Sequence, residues 1–142
     1  MEFKRIKAHK ETFIPLLLLA DDLVHIRSYL EEGTLFVLSE DSEDKAVCIV
    51  NSNLEIENLA VAEQAQGQGY GKQLLTCLFD YYRGQGIMTV GTDEVSGNIQ
   101  FYQSCGFEFS HKIKDYFIEH YESPLYEKGK LLKDKSYLRK EL

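Results

Sequence analysis

Residues 66–75 read QGQGYGKQLL, and the glycines at 67, 69 and 71 restrict what this chain can fold into. Glycine at every second position is unfavourable in a helix and weak in a strand. It suits a turn that takes positive φ or lets backbone approach another group closely. Leu74, Leu75, Leu78, Phe79 and Tyr82 then repeat at helical spacing, predicting a helix from about Gly69 to Arg83 that Gly84 ends. Ahead of the turn, residues 54–62 (LEIENLAVA) alternate as a strand. In a strand, glycine turn and helix joined in this order, amides point outward and the helix dipole adds positive potential. Such a place binds phosphate oxygens.

The rest of the chain fits one mixed α/β layer. Phe3 and Ile6 suggest a first strand, and Thr12 and Pro15 open a helical turn. A helix from Asp22 to Glu32 places Leu23, Ile26 and Leu30 on one face, with Gly33 at its end. Residues 34–40 and 45–51 read as strands joined by the acidic turn Asp41-Ser42-Glu43-Asp44. With Asn51-Ser52-Asn53 as the next turn and 54–62 as a third strand, an antiparallel meander is expected. Then come a buried strand at Ile87–Val90, a helix at Ser96–Cys105 closed by Gly106, and a strand at Phe107–Ile113. A short helix or loop at Asp115–Tyr121 and a strand at Ser136–Leu142 complete the order.

With 142 residues the chain suits a single domain, 1–142. Its net charge of −7 argues against a nucleic-acid surface. The acidity is uneven: residues 1–70 carry 13 acidic and 6 basic side chains, whereas 71–142 carry 10 of each. A cationic, amine-bearing partner would suit the first half, and so would a plain solvated surface. Cys48, Cys77 and Cys105 are far apart and in no CxxC pair, so they read as reduced thiols of a cytoplasmic protein and not as metal ligands. His111 and His120 beside Asp115 and Glu119 match no metal-ligand spacing, so no metal is expected. The run Phe13–Ala20 is too short for a membrane span, and Pro15 and Asp21-Asp22 make it a poor secretory signal.

Two phosphate-binding motifs fail on spacing. A P-loop needs glycine at 66 and Ser or Thr at 73, where this chain has Gln66 and Gln73. A dinucleotide fingerprint counted from Gly67 needs glycine at 72, where Lys72 stands. A third pattern fits. Gln66-x-x-Gly69-x-Gly71 after Leu59-Ala60-Val61, with Phe101-Tyr102-x-x-x-Gly106-Phe107 one strand and helix later, resembles the GNAT superfamily of N-acetyltransferases. The order of elements agrees over nearly the whole chain. The aromatic stretch Tyr116-Phe117-x-x-His120-Tyr121, with Tyr126, is similar to a bacterial branch sometimes labelled indoleacetate acetyltransferase. The plain alternatives are a glycine turn that only packs a helix on a sheet, and aromatics that only fill a core.

The resemblance implies a mixed, mostly antiparallel central sheet flanked by helices and splayed at an acetyl-CoA cleft. It implies acetyl-CoA as cosubstrate, with the backbone of Gln66, Gly67, Gln68, Gly69, Tyr70, Gly71 and Lys72 cradling pyrophosphate. Backbone groups of Leu59 and Val61 would meet pantetheine and the thioester, an amide there stabilising the oxyanion. Tyr102 matches the family tyrosine that protonates the departing thiolate; otherwise it packs under the loop. Where the family often has Asn, this chain has Val95, and Asn98 either substitutes for it or helps cap the helix start. Glu57, then Glu55, share one strand face as candidate general bases, unless that face is merely solvated. Asp93, Glu94 or a water chain are second candidates. The acceptor would be an amine of a small molecule or peptide attacking the thioester directly, with no nucleic acid or membrane involved and a homodimer as an allowed assembly. The rival function is a non-catalytic acyl-CoA-binding sensor or structural relative.

Overall fold

Continuous apolar runs at 35–38 and 46–50 and an alternating stretch at 55–61, separated by polar turns, build the expected antiparallel meander. The computed structural model describes residues 1–142. The chain divides into two compact units, Met1–Gly86 with Leu142, and Ile87–Glu141.

In the first unit, β1 (Glu2–Ile6), β2 (Thr34–Glu40), β3 (Glu43–Val50) and β4 (Glu55–Val61) pair in sequence, each antiparallel to the next. The acidic turn is shorter than expected. Asp41 and Ser42 take φ of 54° and 64°, a two-residue reversal, so Glu43 and Asp44 join β3. The register of β3 against β4 slips once: Ile49 faces Asn58 and Val50 faces Ile56, leaving Glu57 as the extra residue of a bulge.

Helices cover both faces of this meander. Beneath it lie α1 (Ile14–Leu17) and α2 (Leu23–Tyr29). Four residues cannot hold a helix by themselves. Leu17, wholly buried with Ile26 and Leu30 against Leu35, Val47, Ile49 and Ala60, ties α1 down. Burial of one such leucine contributes about 1.5–3 kcal/mol. The helix expected over 22–32 stops at Tyr29, whose carbonyl takes the Gly33 amide at 2.9 Å. A Cβ on Gly33 would lie 2.8 Å from that carbonyl oxygen and 2.5 Å from Ile49 Cγ2, so close approach explains this glycine. On the other face, α3 (Tyr70–Tyr81) buries Leu74, Leu75 and Leu78 against β2, β3 and β4. Phe36 packs edge-on to Tyr81 and Tyr82, and Phe3 of β1 stacks on it.

In the second unit, β9 (Lys135–Glu141) pairs antiparallel with β5 (Ile87–Thr92) on one side and β6 (Glu108–Ile113) on the other. β5 is half-buried and not buried throughout: Met88, Val90 and Thr92 face inward and alternate with more exposed residues. β6 is exposed along its length. Between them lies α4 (Asn98–Ser104), which buries Tyr102 and ends before Gly106 at φ 98°. α5 (Tyr116–His120) precedes a small hairpin, β7 (Tyr126–Glu127) with β8 (Lys130–Leu131), that the sequence pattern did not suggest. Its two-residue turn is Lys128-Gly129, both at positive φ. The architecture is mixed α/β, with mostly antiparallel strands flanked by helices. No helix is long and apolar enough to cross a membrane.

Candidate active site

The glycine turn leaves β4, passes through a 3₁₀ turn at Glu63–Ala65, and enters α3 with Gly69 as N-cap. Gly67 and Gly69 take φ of 75° and 88°, a region costly to residues bearing Cβ. Nothing lies within 4 Å of where a Cβ would stand on either, so conformation and not packing selects glycine here. Gly71 is buried inside the first helical turn. The first helical bond of α3 runs from Gln73 N–H to the Gly69 carbonyl at 3.0 Å. The amides of Tyr70, Gly71 and Lys72 therefore precede the helical ladder and point off its positive end.

Side chains brace the turn from outside. Gln66 Nε2 donates to the Val61 carbonyl at 3.0 Å, and Gln68 Nε2 to the Gln64 carbonyl at 3.1 Å. Tyr70 donates its hydroxyl to Glu40, and Lys45 Nζ lies 5.8 Å from the centre of its ring. The Glu40 hydrogen bond raises the Tyr70 pKa above the usual phenol value, so Tyr70 stays neutral. Lys72 is exposed at the helix start, available as a counter-charge.

Along β4, Ile56, Asn58 and Ala60 are buried, while Glu55, Glu57, Leu59 and Val61 are half-buried. Leu59 and Val61 thus follow the two carboxylates along the strand, as their alternation predicts. Asn51 joins those carboxylates: its Nδ2 donates to Glu57 Oε1 at 2.7 Å and to Glu55 Oε1 at 3.3 Å. Asn51 Oδ1 in turn accepts the amides of Asn53 and Glu55 at 2.9 and 3.1 Å. Spacing marked Asn51 only as a turn residue. The readable signal was an Asn with Glu four and six residues later across a tight reversal.

On the other side of β4, Asn58 Nδ2 donates to the Leu17 carbonyl at 3.1 Å and to the Tyr29 hydroxyl at 3.0 Å. Tyr29 donates onward to Asp21 Oδ2 at 2.9 Å. Burial pushes the Tyr29 phenol far above its ordinary range, so it acts as a neutral donor.

In the second unit, Tyr102 is buried with its ring edge-on to Phe101 and Phe107, at centroid distances of 5.1 and 5.5 Å. Asn98 is exposed, and Gly97 stands at the N-cap of α4 with no side chain capping it. The second-choice carboxylates both hold structural partners. Asp93 Oδ1 accepts the amides of Val95 and Ser96 at 2.8 and 2.6 Å. Glu94 Oε1 accepts Lys112 Nζ at 2.5 Å and the Ser136 hydroxyl at 3.2 Å. His111 stacks on Tyr137 and His120 on Tyr116, so both histidines pack on aromatic rings. Phe117 is buried, and Lys135 Nζ lies 4.2 Å from the centre of the Tyr116 ring.

Comparison with known proteins identifies the class. Residues 31–109 match the family model for the acetyltransferase (GNAT) domain. The N-acetyltransferase YvbK of Bacillus subtilis, described as uncharacterized, is 33% identical over 142 residues, covering 91% of this chain and 90% of its own. Two solved structures share the fold. The IAA acetyltransferase from Bacillus cereus is 34% identical with a TM-score of 0.89, covering 99% of both chains. A GNAT family acetyltransferase from Elizabethkingia anophelis, solved with acetyl-CoA bound, is 30% identical with a TM-score of 0.92, covering 99% of this chain and 97% of its own. The chain belongs to the GNAT acetyltransferase family.

Proposed function

We propose that the chain, acting as one N-acetyltransferase domain in the cytoplasm, moves an acetyl group from acetyl-CoA to an amine of a small molecule or peptide. The observation that carries this reading is the left-handed glycine turn at the start of α3, open above Gly67 and Gly69. Pyrophosphate is held by the backbone amides of residues 66–72 and the helix dipole, with Lys72 as counter-charge. The thioester lies along Leu59 and Val61, where a backbone amide bonds the carbonyl oxygen and stabilises the tetrahedral oxyanion. Acetyl-CoA supplies the activated acyl group, and Asn98 is assigned to its pantetheine arm.

Direct attack needs a base and an acid. Glu57 takes the proton from the attacking amine, with Glu55 as the alternative. The strand carboxylates are taken before Asp93 and Glu94 because they lie on the same strand as the proposed thioester contacts at Leu59 and Val61. When the tetrahedral intermediate collapses, the C–S bond breaks and the Tyr102 hydroxyl protonates the departing thiolate.

The test is thiol release from acetyl-CoA across polyamines, aminoglycosides and peptide N-termini, for the parent and Tyr102→Phe. The parent is expected to turn over with at least one amine class. Tyr102→Phe should keep CoA affinity and lose about 10- to 100-fold in kcat, because the lost donor acts in the transition state and a thiolate is a good leaving group. CoA binding without release across the panel would make the chain a sensor. An unchanged kcat with chemistry rate-limiting would remove Tyr102 from the mechanism.

A further inference from the structure

We propose that Asn51 is the positioning residue of the strand carboxylates, its pinned side-chain amide orienting Glu57 for proton acceptance. The inference rests on the reading of Glu57 as base, and its observations are independent of the glycine turn.

The geometry fixes each atom of the Asn51 amide. Its oxygen accepts two backbone amides, from Asn53 and Glu55, so the NH₂ group must point the other way. That group donates to Glu57 Oε1 at 2.7 Å and Glu55 Oε1 at 3.3 Å. Two carboxylates sharing one donor repel each other. Donation to the charged form opposes this and sets the direction of the carboxylate. The bulge at Glu57 places that residue out of register with β3.

Glu55 is the like charge on the same strand. From α2, Tyr29 is near enough to sense the charge of Glu57, and Asp21 accepts the Tyr29 hydroxyl. α1 has no ionisable side chain, β3 sets Ile49 and Val50 opposite the bulge, and α3 keeps Lys72 and Asp80 exposed.

The informative variant is Asn51→Asp. It keeps an oxygen to accept the Asn53 and Glu55 amides, so the turn survives. It loses the donor and adds a third negative charge. Both changes disfavour the ionised Glu57, so its titration must move to higher pH. The expected result is an upward shift of about 1 to 2 pH units in the rising limb of kcat/KM, measured with one amine throughout. Carboxyl ¹³C NMR of Glu57 should show the same shift without any turnover. Asn51→Ala, which removes the donor without adding a charge, should move the limb the same way by a smaller step. A purely structural Asn51 would lower kcat/KM at all pH values and leave that variant's limb in place.

Glu57→Gln measured alongside separates the two ideas. If it loses its plateau while Asn51→Asp leaves both the limb and the NMR titration unmoved, Asn51 does not position the base. If Glu57→Gln keeps its plateau, Glu57 is not the base and the role given to Asn51 falls with it. An NMR shift would then report only a neighbouring charge.

Discussion

Glu57→Gln should lower the high-pH plateau of kcat/KM by about 10²–10⁴-fold, the usual range for a general base. In free energy that is about 3–5 kcal/mol of lost transition-state stabilisation. Gln keeps the length and planarity of Glu and can still bond Asn51 through its carbonyl oxygen, so folding should be little changed. It cannot take a proton. The amine's own titration also raises the rate with pH, so one acceptor must serve parent and variants. Glu55→Gln is expected to cost less, because Asn51 Nδ2 sits 3.3 Å from Glu55 and only 2.7 Å from Glu57. Near-parent plateaus in both variants would reduce the pair to surface charge, and an ordered water would take over the role.

The second large effect falls on cosubstrate binding. CoA at about 100 times its Kd stabilises a binding protein by about 2.7 kcal/mol, roughly 10 °C in Tm for a chain of this size. Gly69→Asp, with Gly71→Asp added, should abolish most of that shift. At Gly69 the new side chain enters open space at φ 88°, and its charge stands where pyrophosphate belongs. A carboxylate at a helix start is favourable to the helix itself but only offsets part of the strain of a Cβ at φ 88°. Gly69→Asp alone should therefore melt somewhat below the parent. Gly71 is buried, and its replacement adds a stability cost that a melt without CoA reads separately. A CoA-induced shift equal to the parent's would move the phosphate site away from this turn.

Much of this was legible because it is local. Glycines at 67 and 69 signal positive φ, the leucine spacing signals α3, and apolar strand runs separated by polar turns signal the meander of β2, β3 and β4; the structure bears out all three. What was missed depends on pairing. The bulge at Glu57 is a register slip between two strands, and nothing within β4 alone announces it. β5 reads as a buried run from its composition, yet only its pairing decides which side chains face inward. The Lys128-Gly129 hairpin hid in a polar stretch too short for periodicity. Asn51 illustrates the same limit. Its backbone role as a turn residue follows from sequence, but its contact with Glu57, six residues on, exists only once β3 and β4 pair.

Direct transfer is the centre of the account, and intact-mass measurement with parallel thiol detection tests it most directly. The protein would be mixed with acetyl-CoA alone and then with acetyl-CoA plus a reactive amine from the panel. Without amine, the account predicts an unmodified chain and no thiol release, since no cysteine serves as nucleophile. With amine, it predicts thiol and N-acetylated amine in equal amounts, the chain again unmodified. Stoichiometric acetylation of the chain before amine is added, at Cys105 or elsewhere, with that acetyl group then passing to the amine, would contradict it.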